Sequence, residues 1–349
     1  MIEKLIDASI PLWNATLAPL ADESFIREPR ISYTVVKYDP DPESWPESKQ
    51  IQRLPDENKS DYWDRREIWI NENRRLVFPE PDEFVPLPRP APFDLKAKYG
   101  NRGLQVIVKL ASIHLTPENP KYEGGTWHVE GQMVCSLFFL SRHKQLIFRL
   151  QNEHIVSTAI YYYSTENVTT SALSFRQLCE WNELEAEIEY RQFDDDWVKP
   201  IFGCENWKEA VQNIGSVETR EGRLLTFPNV LHHRVEPFEL ADPTLPGHRR
   251  IVALFLVDPN LTIISTARVP CQQQEWWWEA VMATEQTTTK TTITSLPLEL
   301  QDAVLEDVDF PFSLKEAKDL RLDLMEERKD FTLSHEEALE KITFSFCEH

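Results

Sequence analysis

The apolar positions change period along the chain. Over residues 1 to about 35 they recur at helix spacing, beginning with "MIEKLIDASIPLWNATLAPL". Residues 36 to 95 lose that period. "YDPDPESWPESKQIQRLPDENKSDYWDRRE" and "EFVPLPRPAPFD" are acidic and rich in Pro and Trp, so this stretch is expected to be mostly irregular and to wrap a core. From residue 104 the pattern becomes that of strands. "LQVIVKLASIHL", "IVSTAIYYY", "RLLTFP" and "RIVALFLV" are apolar or alternating runs. The turn-forming segments "PENPKYEGG", "DPTLPGH" and "DPN" punctuate them. Antiparallel strands with long connections predict a sandwich or jelly roll. After about residue 270 helices are expected again. Ser313 with Glu316, and Ser334 with Glu337, have the spacing of capping boxes. The pattern predicts a mainly β protein with flanking helices (α+β) in three consecutive regions. These are a helical and Pro-rich region over 1–103, a jelly-roll core over 104–270, and a helical region over 271–349 packed on that core.

Composition narrows the function. Of 349 residues 41% are hydrophobic and 11% aromatic, enough for a sizeable core. The net charge of −21 argues against nucleic-acid binding, which needs Lys and Arg on one face. Cys135, Cys179, Cys204, Cys271 and Cys347 are scattered without a C-x-x-C pair, which suits a reducing compartment and disfavours a zinc module. The N-terminus lacks the basic and apolar regions of a signal peptide. No apolar run approaches the roughly 18 residues of a membrane span. The expected setting is cytoplasmic or nuclear, with no membrane partner. Phosphate-loop, dinucleotide-loop and nucleophile-elbow motifs are missing from the sequence.

One short pattern carries chemistry. In "GGTWHVEG", His128 and Glu130 are two residues apart. On a strand they would point to the same side and could converge on one ion. H-x-E alone is common by chance, so a third ligand has to come from elsewhere. "LLTFPNVLHHRVEP" offers adjacent His232 and His233, which cannot both face inward. Two histidines and one carboxylate with open positions are the ligand set of non-haem Fe(II) oxygenases.

The run G-R-L-L-T-F-P, H-x-V-x-P, R-x-I-x-A-L-F-L-x-D resembles the second half of the double-stranded β-helix in prolyl-hydroxylase-type 2-oxoglutarate/Fe(II) dioxygenases. The resemblance implies that His233, in His233-Arg234-Val235-Glu236-Pro237, is the distal ligand beside His128 and Glu130. It implies an Arg nine residues before an Asp, gripping the far carboxylate of 2-oxoglutarate; Arg249 and Asp258 have that interval, which favours Arg249 over Arg250. The alternation then puts Ile251, Ala253 and Phe255 on Arg249's face. A bidentate guanidinium is the natural grip for a carboxylate. The segment "ELADPTLPGH" lengthens the interval between His233 and Arg249 beyond the family's habit, and Glu130 stands where Asp is commoner.

The whole chain is similar to a fungal family catalogued as domain of unknown function 4246, through "LQVIVKLASIHLTPENPKYEGGTWHVEG", "NEHIVSTAIYYYSTENVTTSALSFRQ", "FPNVLHHRVEPFELADPTLPGHRRIVALFLVDPN" and "FSFCEH". Members run longer at the N-terminus, so a leading segment is expected to precede this chain. They also read "WHVEG", two residues, then "NEHI", whereas here Val134 to Gln151 stand between Met133 and Asn152. Val-Cys can be encoded GTATGT and Gln CAG, the ends of a fungal intron, and eighteen codons keep the frame. Residues 134–151 are therefore read as a retained intron, with a genuine insertion as the alternative. Without them Tyr161 follows His128 by fifteen positions. There the family places a Tyr that shares the 2-oxoglutarate carboxylate with the Arg, which leaves Tyr162 on the opposite face.

The expected function is Fe(II)/2-oxoglutarate-dependent oxidation of a C–H bond in an unknown small molecule or protein. The alternative is a catalytically silent binding or scaffold protein on an oxygenase-like fold. A cupin-like isomerase or metal-dependent hydrolase is disfavoured, since neither needs Arg249. "EWWWEA" reads as packing, His154 as a satisfied strand residue, and Glu205 and Asp194 to Asp196 as solvated.

Overall fold

In the computed structural model the described residues are 2–22, 33–80, 86, 89–131, 153–178, 188–191, 194–205, 208–285, 295–307 and 311–340. The segment read as an intron, 134–151, lies outside them. The chain divides into two compact units that interleave along the sequence. One comprises Met1–Leu17, Pro92–Ser174 and Ser216–Glu337; the other comprises Ala18–Ala91, Phe175–Gly215 and Ala338–His349. The regions read from texture, by contrast, are consecutive. Mostly antiparallel sheets with flanking helices make this a mixed α and β protein.

The first unit is built on a four-stranded sheet of order β1-β9-β3-β6. Its strands are β1 (Val106–Leu115), β3 (Ile155–Glu166), β6 (Leu224–Pro228) and β9 (Gly247–Val257). All three pairings are antiparallel. The two central strands are the most apolar. Val252 to Val257 of β9 are all buried, as expected for a strand covered on both faces. One face carries Ala159, Val252, Leu254 and Leu256, and helix α1 (Ile2–Ala21) covers it with Ile10, Trp13 and Leu17. Trp13 is fully buried, and the Thr16 and Thr226 hydroxyls bond at 2.8 Å, fastening α1 to β6. The other face carries Thr158, Ile160 and Tyr162 of β3 opposite Phe255, Ala253 and Ile251 of β9. Gly247 starts β9 where no side chain fits, since a Cβ would lie 2.4 Å from the Asn167 carbonyl oxygen.

Two smaller pairings complete the β structure. β2 (Lys121–Tyr122) pairs with β8 (Phe238–Glu239). β4 (Ala172–Leu178), β5 (Val211–Glu218) and β7 (His232–Val235) form a three-stranded sheet of order β5-β4-β7. The division between the units falls within β4 and β5. The four strands expected from apolar runs all form. β4, β5 and β7 have mixed, partly polar sequences and carried no such signal.

The second unit has its own core of Ile188, Trp197, Val198, Cys204 and Ala210, with Tyr33, Tyr190 and Phe202 against it. Residues 36 to 95 are mostly irregular among the described residues, as expected, with one long helix inside them. Lys59–Asn73 forms helix α2, capped by Asn58 accepting from Asp61 N at 2.9 Å. Its apolar stripe is too thin to show in the sequence, and of its residues Ile70 alone is buried. Asp194 and Asp196 hold Arg74 at 3.2 and 2.6 Å; Asp196 is exposed, as expected, whereas Asp194 is not. Asp194 is buried and also accepts from the Tyr38 hydroxyl at 2.9 Å.

Short helices α3 (Leu95–Tyr99) and α4 (Val198–Phe202) follow α2 in chain order, and α5 (Gln274–Glu285), α6 (Leu298–Glu306) and α7 (Leu314–Glu340) follow β9. The Ser313 box forms, with Glu316 N donating to Ser313 Oγ and Ser313 N to Glu316 Oε2. The Ser334 box does not start a helix, because α7 runs through it without a break. Among the described residues, no helix is long and apolar enough to cross a membrane.

Candidate metal centre

The segment "GGTWHVEG" runs antiparallel beside β7. Gly125 N donates to Val235 O at 2.9 Å, and His128 and His233 exchange both backbone bonds, at 3.1 and 2.9 Å. Two residues that exchange both bonds stand directly opposite one another. The segment enters this path through Gly124, whose φ is 97° and whose Cβ position lies 3.2 Å from Val235 O. A side chain there would be strained and crowded. The expected strand shrinks to a single bridge at His128, and the chain bends at Glu130.

This pairing brings three ligand atoms together. Donor atoms of His128, Glu130 and His233 all lie within 4.8 Å of one another. Glu130 Oε1 is 3.4 Å from His233 Nε2 and 3.9 Å from His128 Nε2. The His128 and His233 rings are 4.4 Å apart, and Phe227 packs on His233 at 4.7 Å. Alternation sends the neighbours the other way, where Arg234 lies over the Trp127 ring at 4.6 Å. His232, adjacent on β7, is buried as well but is not one of the three.

The two histidines differ in their readiness to bind a cation. His128 Nδ1 is 2.8 Å from the Thr126 carbonyl oxygen. A carbonyl only accepts, so Nδ1 carries the proton and Nε2 keeps its lone pair toward Glu130. Burial pushes the His128 pKa down, and His233 adds to this. Burial alone would raise Glu130, but the hydrogen bond and charge of His233, with His128 and Lys109 behind it, hold the carboxyl down to about 2. His128 can therefore ligate as it stands, whereas His233, which donates to Glu130, would give up that proton to a cation.

Arg249 is 3% exposed, whereas Arg250 is half-buried. Its Nη1 donates to Ser171 Oγ at 3.0 Å, and its guanidinium lies over Tyr162 at 4.8 Å and Phe238 at 5.6 Å. Among the described residues no carboxylate pairs with it, and its Nε has no hydrogen-bond partner. Burial lowers its pKa, against the pull of Tyr162 and Tyr122. The expectation for Tyr161 meets a correction of face. Tyr161 pairs with Val252 and shares the side of Ala159, which α1 covers. Tyr162 is the tyrosine against Arg249, and it is 1% exposed.

Sequence reasoning missed Asn229. Its side chain bonds the main chain of Glu130 twice and that of Ile155 once. In "FPNVLHH" it reads as an ordinary turn residue.

A family described as protein of unknown function (DUF4246) matches residues 1–280. Among solved structures, the chain is similar to hydroquinone 1,2-dioxygenase PnpCD in complex with Cd2+ and 4-hydroxybenzonitrile. The identity is 10%, over 48% of this chain and 69% of that one, with a TM-score of 0.19. No curated protein matches.

Proposed function

This chain belongs to the DUF4246 family of proteins of unknown function, and we propose that it is a non-haem Fe(II)/2-oxoglutarate-dependent oxygenase on a double-stranded β-helix core. The observation that carries the reading is the convergence of two imidazoles and one carboxylate within 4.8 Å. That donor set suits Fe(II), which takes mixed nitrogen and oxygen ligands. His128, with its Nδ1 proton held by Thr126, offers Nε2; His233 offers Nε2 from β7; Glu130 offers the one negative charge.

The second support is Arg249. A buried guanidinium is costly unless an anion balances it, and among the described residues none does. The distal carboxylate of 2-oxoglutarate supplies that balance, received by Arg249 with Ser171 and Tyr162 beside it. Thr158 lies on the same face of β3 as Tyr162, and its hydroxyl is buried without a hydrogen-bond partner among the described residues. These polar groups suit a polar ligand more than a sealed apolar core. When bound, iron with 2-oxoglutarate and O2 supplies oxidation of a substrate C–H bond coupled to oxidative decarboxylation to succinate and CO2. The chain's own part is to fix ligands, orient the cosubstrate and exclude water.

The test is anaerobic titration of the Fe(II)-loaded protein with 2-oxoglutarate, read by its weak visible charge-transfer band. The band is expected for the native protein and for Arg250→Ala. Arg249→Ala should weaken 2-oxoglutarate binding by about 100-fold, the loss of a buried charge-assisted pair. His233→Ala should remove stoichiometric iron, while His232→Ala should not. No band at saturating cosubstrate, or equal loss in His232→Ala, overturns the assignment.

A further inference from the structure

Glu130 is the weak point of the cluster by backbone support. His128 is held by a two-way bond to His233, and His233 sits on β7. Glu130 lies two residues further on, at a bend, and Gly131 then turns with a φ of 83°. A main chain at a bend has no ladder to fix it, so its side chain is only as well placed as whatever else holds it. The chain also gives no short covalent link onward, because residues 132–154 separate this bend from β3.

Asn229 provides the missing support. It stands in the turn between β6 and β7, four residues before His233, and is 9% exposed. Its Oδ1 accepts from Glu130 N at 2.9 Å, and its Nδ2 donates to Glu130 O at 3.0 Å. The same Nδ2 donates to Ile155 O at 3.0 Å, and Asn229 N donates to Val156 O at 3.0 Å. One carboxamide thus makes with Glu130 the reciprocal pair that a neighbouring strand would have made. It also ties Glu130 to the first residues of β3. Few side chains can do this. Asp has no donor for the two carbonyls, and Gln sets the amide one methylene further out.

We propose that Asn229 is a positioning residue of the metal centre, holding the Glu130 carboxylate in register with His128 and His233 by bracing the Glu130 main chain. The proposal rests on the metal reading of the site and adds to it a residue that is not itself a ligand. All three side-chain bonds of Asn229 go to main chain, so it acts through Glu130. Outer partners that orient ligands are commonly worth 10- to 100-fold in metal affinity.

The test uses Co(II) alone as the probe on the 349-residue chain, with affinity from calorimetry and ligand geometry from the visible ligand-field bands. Asn229→Ala should weaken Co(II) binding about 10- to 100-fold and alter those bands. The control is Asn167→Ala. Asn167 also braces main chain with its amide, at Asp242 and Leu245, away from the cluster. That variant should lower the melting temperature while leaving Co(II) affinity and bands as in the native protein. If Asn229→Ala is insoluble, Asn229→Asp, which keeps the oxygen facing Glu130 N and loses the donor, is read by the same measures. Native affinity and bands in the Asn229 variant, or an equal loss in Asn167→Ala, overturn the positioning role alone. A native chain that takes up no Co(II) overturns the metal reading and this proposal with it.

Discussion

Glu130 shows how a single side chain is set by opposed forces. Burial disfavours its charge, yet the hydrogen bond and charge of His233, with smaller help from His128 and Lys109, keep it ionised down to about pH 2. Its folded pKa therefore lies below the ordinary 4.5. A depressed carboxyl contributes stability above the unfolded pKa and loses it as pH falls toward the folded one. Glu130→Gln should lower the stability of the metal-free protein at pH 7. The gap between the two proteins should then narrow between pH 4.5 and about 2. Urea unfolding at a series of pH values measures this; a gap constant across that window contradicts the account. Part of this cluster was legible in the chain, His128 and Glu130 through their spacing and His233 through the resemblance that marks H-x-V-x-P. Asn229 cannot be read the same way, since an Asn after Pro signals a turn and nothing more. Nor can the choice among Tyr161, Tyr162 and Tyr163, because three adjacent tyrosines carry no mark of which one faces inward.

At the scale of elements, the sheet and α1 supply the frame. Leu254 is fully buried between β1 and β3 on the face that α1 covers, together with Trp13 and Ala159. Leu254→Ala removes atoms from a packed layer and leaves a cavity, so it should cost about 2–5 kcal/mol of unfolding free energy. Denaturant unfolding checks this, and a loss below about 1 kcal/mol would mean that the layer collapses to fill the gap. β3 and β9 were legible because each buries enough of its length to need an apolar run. β7 reads "HHRV" and β4 "ALSFRQL". Their partners and their chemistry, more than their apolarity, make them strands. α2 escaped notice for a related reason, its helix being marked by an Asn58 cap and charged turns with little apolar stripe.

At the scale of the molecule, two interleaved units are drawn from one chain, and the cluster with Arg249 belongs to the first. Asn229 braces the main chain on both sides of residues 132–152, at Glu130 and at Ile155. Removing residues 134–151 should therefore leave Fe(II) affinity within about threefold of the full chain, since closing a shorter connection changes loop entropy only logarithmically. Gel filtration and anaerobic iron titration of the shortened protein check this. A shortened protein that aggregates or loses iron would show that the segment belongs to the fold and is no dispensable insertion.

Local order along the chain was enough to predict the four apolar strands, because periodicity acts over a few residues, and the resemblance to prolyl-hydroxylase-type dioxygenases singled out the three residues that the fold brings together. Pairing register settled the rest. Tyr162 stands against Ile251 and Tyr161 against Val252, and that one-residue alternation puts Tyr162 beside Arg249 and Tyr161 under α1's side. The meeting of His128 with His233, and the bracing of Glu130 by Asn229, join residues about a hundred positions apart. Such contacts exist only once the strands have paired, since the backbone groups they use are identical at every residue and carry no sequence signature.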